Sequence, residues 1–143
     1  MKDMKTKFII IFALAALLIL AGCTSQGSGS QTVSGQKTFK SIKDAYDSGL
    51  SLKCSGTSGV YTVNMYFSNK NIRSESIGPA QTIYQVITKD NHYYSWMSTS
   101  PEKVISMSGD GVNQPRNALL NGPLTIPCTE QAIDSSLFEP PKK

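Results

Sequence analysis

The spacing of hydrophobic residues takes three forms along this chain. From Phe8 to Ala21 they run almost without a break and without a charge. From Phe39 to Tyr46 they recur at steps of three and four, with Phe39, Ile42 and Tyr46 along one side of a helix. From Leu52 onward they alternate with polar residues, the period of a half-buried strand. In GVYTVNMYFSN, Tyr61, Val63, Met65 and Phe67 share one face, and Val60, Thr62, Asn64 and Tyr66 share the other.

Each spacing predicts an element. A short helix is expected from Ser41 to Ser48, with Ser41 as its N-cap, Asp44 three residues on, and Gly49 as its stop. Its expected role is to cover one face of a sheet rather than to act as a lid. Asn69-Lys70-Asn71 reads as a turn and NIRSESI as a polar return strand. QTIYQVITKDNHYYSWMS reads as two strands joined at Lys89-Asp90-Asn91, and Lys103 to Ser108 as another. GDGVNQPRNALLNGP is rich in Gly, Pro and Asn and is expected to be loop, with one helical turn at Pro115–Leu120. LTIPCTEQAIDSSLFEPP is expected as an extended tail that brings Cys128 back towards Cys54. Together these give an α+β class, an antiparallel meander of about five to seven strands with one short N-terminal helix.

The N-terminal pattern is of another kind. Lys2, Lys5 and Lys7 precede the apolar run, which at about 14 residues has signal-peptide length and is short for a membrane span. It ends in Leu20-Ala21-Gly22-Cys23. This tetrad resembles the lipobox of prokaryotic lipoproteins. The resemblance implies lipid transfer to the Cys23 sulfur, cleavage before Cys23 and acylation of the new N-terminus. The expected location is extracytoplasmic, on the cell membrane or on the outer membrane of a two-membrane cell. Residues 1–22 are then a signal peptide and residues 23–36 a lipidated cysteine with its linker. The linker is uncharged and dominated by Ser, Gly, Gln and Thr, too polar to offset its ordering entropy. Residues 37–143 form one β-rich domain.

Lipidation changes the cysteine arithmetic. The chain has three cysteines, Cys23, Cys54 and Cys128. Removing Cys23 leaves a pair in an oxidising compartment, where disulfides persist. A Cys54–Cys128 bridge is therefore expected. Two unpaired thiols or a metal pair are the rival readings. There is no CxxC, and His92 is the only histidine, so the spacing does not favour zinc.

Charge narrows the partners further. The formal charge of +4 falls to +2 once Lys2, Asp3, Lys5 and Lys7 leave with the signal segment. The remaining Lys and Arg residues are scattered, without a basic stripe, which argues against nucleic acid. No serine sits in a G-x-S-x-G elbow, and the carboxylates are spread singly. His92 beside a turn reads as solvent-facing. The residues therefore point to no enzyme, no cofactor and no metal.

Farther along the chain, Cys128 is followed by Asp134, Ser136, Phe138 and Pro141. With the lipobox, the polar linker and the early helix, this order resembles small prokaryotic lipoproteins whose C-terminal part reads Cys, a few residues, then Asp-x-Ser-x-Phe-x-x-Pro. Their layout is in turn similar to the lipoprotein-carrier (LolA/LolB-like) fold. That resemblance implies a curved antiparallel half-barrel partly closed over a helix, able to hold a lipid.

The aromatic residues sharpen this expectation. Tyr94 and Trp96 share one strand face, and Tyr93 and Met97 the other. One helix covers only one face, so the second wants a ligand, a partner or the C-terminal tail. Tyr66, Tyr84, Tyr94 and Trp96 are the candidate surface, with Trp96 expected to be partly exposed. The expected partners are the membrane through Cys23, an apolar or amphipathic ligand, and, alternatively, an envelope protein met by a purely structural head.

Overall fold

A computed structural model describes residues 35–142. The apolar run, Cys23 and the linker up to residue 34 lie outside the described residues.

The described chain is built on one open, eight-stranded sheet whose neighbours all pair antiparallel. The strands are β1 (Gln36–Lys37), β2 (Leu52–Ser58), β3 (Tyr61–Ser68), β4 (Asn71–Ile77), β5 (Thr82–Ile87), β6 (His92–Met97), β7 (Ser100–Ser108) and β8 (Cys128–Glu130). Strands β2 to β7 run as a meander in chain order, and β8 returns to lie between β1 and β2. The strand count exceeds the expected five to seven because β1 has two residues and β8 three. Segments that short carry no legible period. Gln36, read from sequence as linker, pairs with Thr129 and so belongs to the sheet.

The turns follow their residues. Ser68 pairs with Asn71 across Asn69-Lys70, whose φ values of 50° and 63° make a two-residue hairpin turn twisted like the strands it joins. At the β5–β6 turn Asn91 takes φ 58°, and the Thr88 N–H donates to the His92 carbonyl. Gly59, at φ 60°, opens the two-residue β2–β3 turn. The glycine thus ends β2, and Val60, expected on a strand face, is a turn tip instead. Strand β7 begins at Ser100, earlier than the expected Lys103, because a bulge opposite Ser95–Met97 takes up extra residues of β7.

Two short α-helices stand where one was expected: α1 (Ile42–Asp47) and α2 (Asn113–Leu120). The Ser41 hydroxyl accepts from the Asp44 N–H at 3.1 Å, and Gly49 leaves the helix at φ 70°. The second helix exceeds the single predicted turn. Arg116 ties it to the β5–β6 turn, donating to Asn91 Oδ1 at 2.7 Å and to the Thr88 carbonyl at 2.9 Å. These are long-range partners that local propensity does not show.

The main core lies on one side of the sheet. Leu52, Met65, Phe67 and Ile72 pack against Ile42 and Ala45 of α1, with Leu119 and Leu120 of α2 at the margin. Farther along the same side, Ile87 and Tyr93 meet Val112. Cys54 and Cys128 face each other across β2 and β8, form a disulfide and are fully buried. The Ser55 N–H donates to the Pro127 carbonyl, so the cysteines occupy a pair that exchanges no backbone hydrogen bonds, where opposed residues come closest. Among the described residues no helix is long and apolar enough to cross a membrane.

Candidate functional site

The other side of the sheet brings the four predicted aromatics together. Pairing sets Tyr66 opposite Arg73, Tyr84 opposite Trp96, and Tyr94 opposite Val86, all on one face. Val86, Trp96 and Phe138 form a buried cluster, with Tyr66, Tyr84, Tyr94, Val104 and Ile133 packed around it. The Tyr84 and Trp96 rings stack with centroids 5.1 Å apart and planes 17° from parallel.

Trp96 corrects the expectation of partial exposure, for only 7% of its surface is open. The cause is the C-terminal tail. Its 3-10 turn, Ser135–Phe138, lies on this face and inserts Phe138 beside Trp96. Asp134 caps that turn by accepting from the Ser136 N–H at 2.9 Å. Hydrogen bonding from the Ser136 backbone, and then from its side chain, holds the Asp134 carboxyl below its ordinary range.

An ion pair that sequence reading passed over organises the face. Arg73 and Glu75 lie two residues apart on β4 and so point the same way. The Arg73 Nε and Nη2 reach Glu75 Oε1 at 2.8 and 2.7 Å. The other carboxylate oxygen accepts from Asn64 at 3.2 Å and from the Tyr66 hydroxyl at 3.4 Å. Asn64 in turn accepts from Ser55 at 2.6 Å. Both charged side chains are close to nine-tenths buried, and the network supplies the hydrogen bonds that make such a pair tolerable. Burial pushes the Tyr66 phenol up, and the neighbouring Glu75 carboxylate adds to the rise.

The guanidinium also holds the tail and the rings. Its Nη1 donates to the Leu137 carbonyl at 2.8 Å. Its central carbon lies 4.9 Å from the Tyr84 ring centroid and 5.6 Å from that of Trp96. The signal for this cluster was legible: in NIRSESI, the period of two puts Arg73 and Glu75 on the face of Tyr66 and Tyr84.

Beside the tail an open cleft of about 510 Å³ remains, lined by Arg73, Tyr84, Trp96, Ser98, Pro101 and the tail residues Ser136, Glu139, Pro140, Pro141 and Lys142. Its walls combine the Tyr84 and Trp96 rings and three prolines with the polar groups of Arg73, Ser98, Ser136, Glu139 and Lys142, a mixed composition that an amphipathic molecule would suit. Tyr66 and Tyr94 stand in the same aromatic cluster but do not line this cleft. His92 begins β6, is exposed and stacks on Tyr94 with centroids 6.2 Å apart. No protein-family model, curated protein or solved structure matches this chain.

Proposed function

We propose that this chain is a membrane-anchored extracytoplasmic lipoprotein whose β-domain binds an apolar or amphipathic ligand in the cleft between Tyr84–Trp96 and the C-terminal tail. The anchor rests on the sequence, where Leu20-Ala21-Gly22-Cys23 ends a charge-free run. The observation that carries the binding reading is the cleft itself: a stacked aromatic pair on one side, Pro140 and Pro141 on the other. Rings and prolines present rigid apolar area and lose little conformational entropy when a ligand covers them. Arg73 shapes the floor and is already engaged by Glu75 and Leu137, so it serves as a positioning group.

The support for a carrier-like layout is coarse: one antiparallel sheet with its helices on one side. A carrier-like half-barrel is part of this proposal, with the ligand on the tail side rather than under the helices. The alternative of a purely structural head is favoured by the same tail, because Phe138 already fills part of the aromatic face.

Native mass spectrometry decides between them. The Cys23→Ala chain, released from detergent, should carry co-purified lipid, and Tyr84→Ala should lose it. Apo protein in both would favour the structural head. Metabolic lipid labelling tests the anchor separately: the parent should take up label and Cys23→Ala should not.

A further inference from the structure

The two ends of the meander differ in chemistry. The β3–β4 and β5–β6 turns and the chain beyond β7 lie at one end and carry Lys70, Lys89, Asp90 and Asp110. The opposite end holds the β2–β3, β4–β5 and β6–β7 connections: Gly59-Val60, Gly78-Pro79-Ala80-Gln81 and Ser98-Thr99. None of these residues is charged.

Among the described residues, four of the six large apolar side chains that stand most in the open are at that end; the other two, Ile105 and Met107, lie along the edge strand β7. Val60 is 73% exposed, Tyr61 45%, Met97 39% and Ile77 37%. They form a rim rather than scattered points. The Tyr61 ring lies against Gly78, so closely that a Cβ there would come within 2.8 Å of a ring carbon. The first two hairpin tips therefore abut, and the third follows in sheet order.

The chain outside the described residues indicates what covers this rim. On the anchor reading, Cys23 is fixed in a bilayer and a dozen residues lead to Gly35. At ~3.3–3.6 Å per residue they reach ~40 Å. Gln36 lies level with Thr129 and Lys53, and from Lys53 up β2 to Val60 is ~23 Å of strand. The tether is thus long enough for the domain to stand rim-down.

We propose that Val60, Tyr61, Ile77 and Met97 form a membrane-contacting rim that dips into the lipid interface. This rests on the anchor reading above. Valine, isoleucine and methionine gain from leaving water, and tyrosine suits a boundary that is apolar below and wet above. The binding cleft opens beside Ser98 and Pro101 at the same end, so an amphipathic ligand would have a short path from the bilayer.

The test uses the full chain, produced as a lipoprotein and reconstituted into phosphatidylcholine–phosphatidylglycerol vesicles with or without brominated acyl chains. Flotation is read first. Tryptophan emission is then compared for the parent, whose Trp96 sets the baseline, for Val60→Trp at the rim and for Asp90→Trp at the opposite end. The expected result is flotation, with brominated lipid quenching Val60→Trp well beyond the parent and Asp90→Trp no further than the parent. Flotation with Val60→Trp matching the parent, or with both ends quenched alike, would overturn the rim and leave the anchor standing. Failure to float would overturn the anchor and this inference together.

Discussion

The two faces of this sheet are made from the same strands and closed by different means. On one, Leu52, Met65, Phe67 and Ile72 meet two helices, and a disulfide lies beneath them. On the other, aromatic rings and a hydrogen-bonded ion pair meet a C-terminal strap, held by Phe138, by Ile133 at the margin and by the Leu137 carbonyl accepting from Arg73. The first closure is apolar and extensive, and the strands beneath it, β2 and β8, are joined covalently. The second has few contacts and ends in an open cleft. Local opening follows the smallest buried area, so the strap is the part of the core expected to release first.

The largest test of this contrast is the disulfide. Replacing Cys54 and Cys128 by alanine frees a loop with a sequence separation of 74. The chain-entropy model gives a loss of ~4–5 kcal/mol. Thermal melts with and without reductant should show it in the parent and not in the variant. Phe67→Ala, fully inside the helix-covered core, should cost ~3–5 kcal/mol in denaturant midpoint. Arg73→Ala strips Glu75 of its counter-charge on the other face and should cost ~3 kcal/mol. The double change Arg73→Met, Glu75→Leu should regain much of that, since an apolar pair needs no desolvated charge. Phe138→Ala should cost only ~1–2 kcal/mol although it is buried, because the strap can leave without the sheet unfolding. A loss equal to that of Phe67→Ala would mean that the strap is integral core, and the contrast between the faces would fail.

The smallest effect is one of pH. Burial raises the Tyr66 and Tyr93 phenols above their ordinary value of 10.0, one on each face. A raised acid favours its protonated form in the fold. Its contribution is present below pH 10 and lost as pH rises through the folded value. Denaturant midpoints should therefore fall above pH 10, and less steeply in Tyr66→Phe.

Much of the fold was legible because its signals are local. Asn69-Lys70 and Asn91 take the positive φ that hairpin turns require. Ser41 and Asp44 mark the start of α1 as their spacing says. What was not legible depends on distant partners. Strand β8 is three residues long and exists because Cys128 finds Cys54. Helix α2 sits in a Gly-, Pro- and Asn-rich stretch and is tied down by Arg116. Trp96 shared the predicted face with Tyr66, Tyr84 and Tyr94, but its exposure was set by Phe138, far along the chain. Glu75 was read as a single carboxylate, although its partner stood two residues away on the same strand face.

The central claim is that the cleft beside Trp96 takes an apolar or amphipathic ligand, and the chain offers a direct reporter. Trp96 is its only tryptophan and lines that cleft. Titrating the Cys23→Ala chain with a dibrominated fatty acid below its micelle concentration should quench Trp96 emission along a saturable curve. Tyr84→Ala, which keeps Trp96, should shift that curve to higher concentration. Quenching that rises without saturating, or that is the same in both chains, would contradict the account.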